Sequence, residues 1–147
     1  MEVQRDFRDL LELLNAHKVE YMIVGAYALA FHGAPRYTGM DIYVKPDPVN
    51  AQCIMAALSD FGFGSVELSA ADFEVEDKVV QLGFPPVRVD IVTSITGVSW
   101  EEAGSGRIEG TYGDVRVYFV GREQFISNKR VLGRKKDLAD LEALGEE

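Results

Sequence analysis

The chain is poor in several residue types, and each shortage excludes something. It has one cysteine, one tryptophan, two histidines and five prolines in 147 residues. A single cysteine, Cys53, rules out an internal disulfide and a thiolate metal site, and points to a reducing cytoplasm as the expected location. No apolar run approaches the ~20 residues of a membrane span, and no basic-then-apolar leader opens the sequence, so no membrane association is expected. Ser94 and Ser99 have no His–Asp constellation near them in sequence, which argues against serine hydrolysis. Repeats, low-complexity stretches and linkers are absent, so residues 1–147 read as one domain. Positive charge is scarce as well. Fifteen Lys and Arg face 24 Asp and Glu, a formal charge of −9, which disfavours non-specific binding to DNA, RNA or anionic lipid.

What is present is ordinary globular material, 47% hydrophobic and 27% charged. A chain of this length can bury roughly two-thirds of its unfolded surface. The net charge is unevenly spread. Residues 1–120 hold 18 acids and nine bases, whereas 121–147 hold six of each. Within that neutral tail Lys129, Arg130, Arg134, Lys135 and Lys136 fall within eight positions. Such a cluster suits a small polyanion, or else a solvated helix face offset by Asp137, Asp140 and Glu142.

Periodicity lays out the elements. Phe7, Leu10, Leu11 and Leu14 repeat at helical spacing over residues 3–17, with His17 at the favourable C-terminal end. Tyr21–Val24 reads as a strand that turns at Gly25 into a buried helix, Ala26–Phe31, on which His32 is a packed or capping residue. Met40–Val44 is a second strand, stopped by prolines. Val49–Phe61 is a helix with Ile54, Met55 and Leu58 inward and Cys53 a small core residue. Val79–Phe84 and Val87–Val92 form a hairpin across Pro85-Pro86, and Arg107–Thr111 and Val115–Val120 form another across Tyr112-Gly113-Asp114. Trp100–Ala103 is a helical turn, and Glu123–Leu132 and Lys136–Leu144 are helices separated by Gly133. The fold class is α/β in the loose sense, or α+β, with flanking helices on a mixed, mainly antiparallel sheet.

Three features carry chemistry. The strand–glycine–helix junction at Val24-Gly25-Ala26-Tyr27 lets an anion approach the backbone, or serves turn geometry alone. Asp41 interrupts an otherwise apolar strand, where a carboxylate is costly unless paired or bound to a cation. Asp90 alternates with Val89 and Ile91 and shares a strand face with Arg88, so it is either a metal ligand or half of a surface ion pair.

In this order, these features resemble the polymerase-β-like nucleotidyltransferase superfamily, in particular its small bacterial members of abortive-infection toxin type. The resemblance lies in Val19–Val44, with Val24 to Thr38 at its centre, in Arg88-Val89-Asp90-Ile91-Val92-Thr93, and in Asn128-Lys129-Arg130 with Gly133 to Leu141. It implies a nucleotidyltransferase fold and a Mg²⁺-dependent transfer of a nucleoside monophosphate from a triphosphate to a hydroxyl, in a toxin–antitoxin or stand-alone setting. Two Mg²⁺ (or Mn²⁺) ions are implied on Asp41 and Asp90, which would be the catalytic pair, with Asp90 as general base. Gly25, Ala26, Arg36, Thr38, Lys129 and Lys136 would contact the nucleotide. The acceptor would be a tRNA end, a protein or a small molecule such as an aminoglycoside, and a homodimer or cognate partner protein would complete the site. Two departures stand out. Ala26 replaces a second Gly or Ser, and Met40 occupies the expected first Asp position. The alternative is therefore a degenerate member that binds nucleotide or a protein partner without catalysis.

Overall fold

The computed structural model describes residues 4–32, 39–63, 68–84 and 87–146, with the side chains at 26, 27, 84 and 87 outside that description. Helix α1 (Arg5–Ala16) forms because four apolar side chains line one stripe, and Phe7, Leu10, Leu11 and Leu14 are all buried. Strand β1 (Tyr21–Val24) is buried throughout and passes directly into α2 (Gly25–Phe31). Strand β2 (Met40–Val44) follows, then α3 (Pro48–Leu58). The start of α3 was encoded locally. Asp47 accepts a hydrogen bond from Asn50 N–H at 2.9 Å, and Pro48 sits in the first turn, where no backbone donor is lost.

Strands β3 (Val79–Phe84) and β4 (Val87–Val92) pair antiparallel, as do β5 (Ile108–Tyr112) and β6 (Val115–Phe119). Between these hairpins lies α4 (Trp100–Gly106), opened by a reciprocal capping box of Ser99 and Glu102. The chain closes with α5 (Arg122–Leu132) and α6 (Lys135–Ala143). The six strands run in the order β3-β4-β2-β1-β6-β5. Antiparallel pairs at the two hairpins and at β1/β2 alternate with parallel pairs β2/β4 and β1/β6, so the sheet is mixed. This agrees with the sequence reading of an α+β architecture. The helical turn at 100–103 extends to residue 106, and Met55 is only half-buried beside the fully buried Ile54 and Leu58. A short 3₁₀ turn, Ala70–Phe73, carries no periodic signal, yet it buries Phe73 completely. No helix among the described residues is long and apolar enough to cross a membrane.

Buried polar side chains knit the elements together. Asn50 receives Glu20 N–H at 2.8 Å and donates to the carbonyls of Glu20 and Lys45 at 3.0 Å each, fastening the start of α3 to β1 and β2. The α5–α6 hairpin is held by charge. Lys129 Nζ lies 3.3 Å from Asp137 Oδ1 and 3.4 Å from Asp140 Oδ2, while Arg134 Nε reaches Asp137 Oδ2 at 2.6 Å. Asp137 is fully buried, and Arg134's hydrogen bonds, with help from Lys129, hold its carboxyl down to about 2 against the opposing effect of burial. A carboxyl depressed in this way stabilises the fold above its ordinary range, and that contribution disappears as pH falls towards 2. Lys129→Ala leaves two buried carboxylates short of a shared cation, so urea unfolding at pH 7 is expected to show a loss of about 3 kcal/mol. A loss under about 0.5 kcal/mol would mean that the strut does not hold the hairpin.

Candidate functional site

The sheet register brings the sequence candidates together. In the parallel pair β2/β4, Asp41 stands directly opposite Asp90. In the flanking antiparallel pairs Val24 stands opposite Asp41 and Gln81 opposite Asp90. Paired residues project to the same face, so Val24, Asp41, Asp90 and Gln81 form one row across four strands, each about 4.8 Å from the next. A cavity of about 440 Å³ opens over Val24, Asp41 and Asp90 of this row. Gly25, Asp41, Asp90 and Lys129 line it, joined by Ser94, Thr96, Asn128 and Arg134.

Gly25 is required where it stands. Its φ of +68° is left-handed, and a Cβ there would run into the Asp41 carboxylate. The backbone at the start of α2 is therefore pressed against Asp41. Gly25→Ala is expected to lower stability by about 2 kcal/mol or more, and the same change in an Asp41→Ala background to cost clearly less. Equal losses in both backgrounds would show that the two residues do not meet.

The electrostatics single out Asp41. Burial is the main reason its pKa rises to about 6, and the like charge of Asp90 adds to it; Lys129, Arg88 and Lys136 pull the other way. A carboxyl whose folded pKa is raised is most favourable to the fold below about pH 4, and that contribution is lost as pH rises through about 6. At pH 7 in chelator, Asp41→Asn is thus expected to stabilise the protein by on the order of 2 kcal/mol, with little change at pH 4. An unchanged or lower melting temperature at pH 7 would contradict this.

Asp90 is differently placed. Arg88 Nε donates to its Oδ1 at 3.1 Å and Nη2 to its Oδ2 at 2.9 Å, so the ion pair anticipated between these neighbours on one strand face is present. Lys129 lines the cavity, but its ammonium is already shared between Asp137 and Asp140 and lies 5.3 Å from the centre of the Phe125 ring. Lys136 is exposed on α6 outside the lining, although its charge is felt at Asp41. Ala26 falls in the first turn of α2. Arg36 and Thr38 lie outside the described residues. Of the histidines, His32 caps α2 and bonds through Nε2 to Val120 O at 2.9 Å, and His17 meets Asp60 at 2.7 Å.

Sequence reasoning missed Gln81 as the cross-strand neighbour of Asp90, and in the cavity lining it missed Ser94 and Thr96. The last two belong to the segment after β4 that Asn128 fastens to α5 through a 2.7 Å bond to Thr96 O. Their one available signal was position, since loops that leave strand ends commonly carry function.

Met40 stands elsewhere than the resemblance implied. It is fully buried, pairs with Val89 and points to the face opposite Asp41. The residue on Asp41's own face, two positions back, is Gly39. The donor set present, two carboxylates in register over one cavity, fits a hard divalent cation. Among the described residues no group of three His, Cys, Asp or Glu side chains gathers as a metal site.

Compared with family models and with curated protein sequences, the chain matches none.

Proposed function

We propose that the protein is a Mg²⁺-dependent nucleotidyltransferase that moves a nucleoside monophosphate from a nucleoside triphosphate to a hydroxyl acceptor. The observation that carries this reading is the register pair Asp41–Asp90, with Asp41 flush against the Gly25 backbone, in a cavity bordered by Arg134 and Lys129. A divalent cation bound by these carboxylates would supply charge neutralisation at the phosphates. The remaining work falls to the chain. The Gly25 backbone leaves room for a phosphate to lie close, and Arg134, half-exposed on the lining with Nε and Nη2 on Asp137, brings its positive charge to the same space. The acceptor oxygen forms the new bond to the α-phosphorus as the bond from that phosphorus to pyrophosphate breaks. The hydroxyl proton passes to Asp90, which requires Arg88 to release one of its oxygens. A nucleotidyltransferase fold and a role beside a cognate partner protein belong to the same reading.

A second reading is favoured by one specific observation. Met40 faces the core and Gly39 has no side chain, so the row holds two carboxylates where the resemblance implies three. On that reading the cavity binds nucleotide without transferring it. One set of experiments separates the two. Calorimetric titration with ATP, GTP, CTP and UTP is expected to show at least one nucleotide binding only when Mg²⁺ is present. Labelled-nucleotide transfer is expected to fall at least a hundredfold in Asp41→Asn and in Asp90→Asn. Metal-dependent binding without transfer selects the second reading, and no metal-dependent binding of any of the four nucleotides overturns both.

A further inference from the structure

The cavity over Asp41 and Asp90 changes character along its length. At the carboxylate row the lining is charged, with Asp41 and Asp90 on the sheet and Lys129 and Arg134 from the helical hairpin. Two residues further along the same sheet face, Val92 stands opposite Val79. Both line the cavity, together with Ile95 and Leu132. Val79 is 63% exposed on an edge strand, a place where a polar side chain is the ordinary choice. Beyond this apolar stretch lies Ser94, also on the lining. Its hydroxyl donates to Asp77 Oδ1 at 2.9 Å and accepts the Asp77 N–H at 3.1 Å. Asp77 makes this pair from a left-handed backbone, φ +63°, which costs a residue other than glycine. A serine hydroxyl has one proton and two lone pairs, so the one lone pair left to Ser94 can only accept.

We propose that the apolar stretch of Val79, Val92, Ile95 and Leu132 seats the base of the nucleotide, and that Ser94 selects a base with an amino group at its outer edge. The 6-amino group of adenine or the 4-amino group of cytosine is then preferred to a keto oxygen in the same place. This rests on the nucleotidyl-transfer reading and adds to it the class of base and the residue that reads it.

Phosphates held at the charged end leave the planar ring for the apolar end. The Val79–Val92 pair lies ~7 Å along the strands from the Asp90 row, and Ser94, four residues after Asp90, at most ~14 Å along the chain. A nucleotide laid out along β4 therefore meets the carboxylates, the apolar stretch and Ser94 in that order. A keto oxygen against Ser94 Oγ would set acceptor against acceptor, and Ser94 could donate to it only by leaving the Asp77 carboxylate. An amino group donates to the remaining lone pair with nothing disturbed. The segment that carries Ser94 is fixed, because Asn128 Nδ2 donates to Thr96 O at 2.7 Å. The Thr96 hydroxyl, exposed and without a partner among the described residues, can turn to donate or accept and so selects nothing.

Calorimetric titration of the full chain with Mg²⁺ tests this through nucleotide pairs that differ at that one position, ATP against ITP and CTP against UTP. Inorganic tripolyphosphate reports the phosphate contacts alone, and dATP reports the sugar. In at least one of the two pairs the amino-bearing nucleotide is expected to bind about tenfold more tightly. Ser94→Ala should bring that ratio to within about twofold, with tripolyphosphate affinity unchanged as the sign of a folded site. Val79→Ser, at an exposed position, should weaken the preferred nucleotide about threefold and leave tripolyphosphate unmoved. Equal affinities within both pairs, a ratio that survives Ser94→Ala, or a Ser94→Ala loss confined to ATP over dATP overturns the role of Ser94. A Val79→Ser change that is absent, or equal for tripolyphosphate, overturns the apolar seat. Each of these results leaves nucleotidyl transfer standing. No metal-dependent binding of any nucleotide overturns both.

Discussion

The parallel pairing of β2 with β4 is the constraint from which the site follows. Because Met40 opposes Val89 and Ile42 opposes Ile91, Asp41 has no choice but to oppose Asp90. Sliding either strand by one residue would turn a carboxylate into the core and expose Ile42 or Ile91, so the buried face fixes the polar face. Two like charges at one strand spacing, one of them buried enough to raise its pKa to about 6, are not a stabilising arrangement. The fold tolerates it through the surrounding apolar core and through cations brought in from β4, α5 and α6. A site that costs the fold stability has the energetics expected of function rather than of packing.

The same view explains the charge distribution. The neutral tail is also largely paired within itself. Lys129 joins Asp137 and Asp140, Arg134 joins Asp137, and Arg122 and Arg130 both reach Glu146. Of the offsetting acids anticipated from the sequence, Asp137 and Asp140 are real partners, and with Glu146 they convert a run of cations into a clamped helical hairpin. Rigidity has its own use here. Asn128, Lys129 and Arg134 can border the cavity at fixed positions only because the hairpin that carries them is clamped.

Much of this was legible in the residues themselves. Strand and helix limits followed from the spacing of Phe7, Leu10, Leu11 and Leu14, from the β-branched runs at 79–84 and 87–92, and from punctuation at Gly25, Pro48 and Gly133. Asp41 and Asp90 were conspicuous as charges inside apolar strands. What was not legible depended on pairing across the sheet. Nothing local in Val79-Val80-Gln81 says that Gln81 will stand beside Asp90, because that neighbour comes from register and not from spacing. The side to which Met40 points was likewise hidden. Counting along the chain placed it at a ligand position, whereas the period of two along a strand places it in the core. The sharing of Lys129 between two acids eight and eleven residues away also needed the turn at Gly133, whose left-handed φ of +61° folds α6 back on α5.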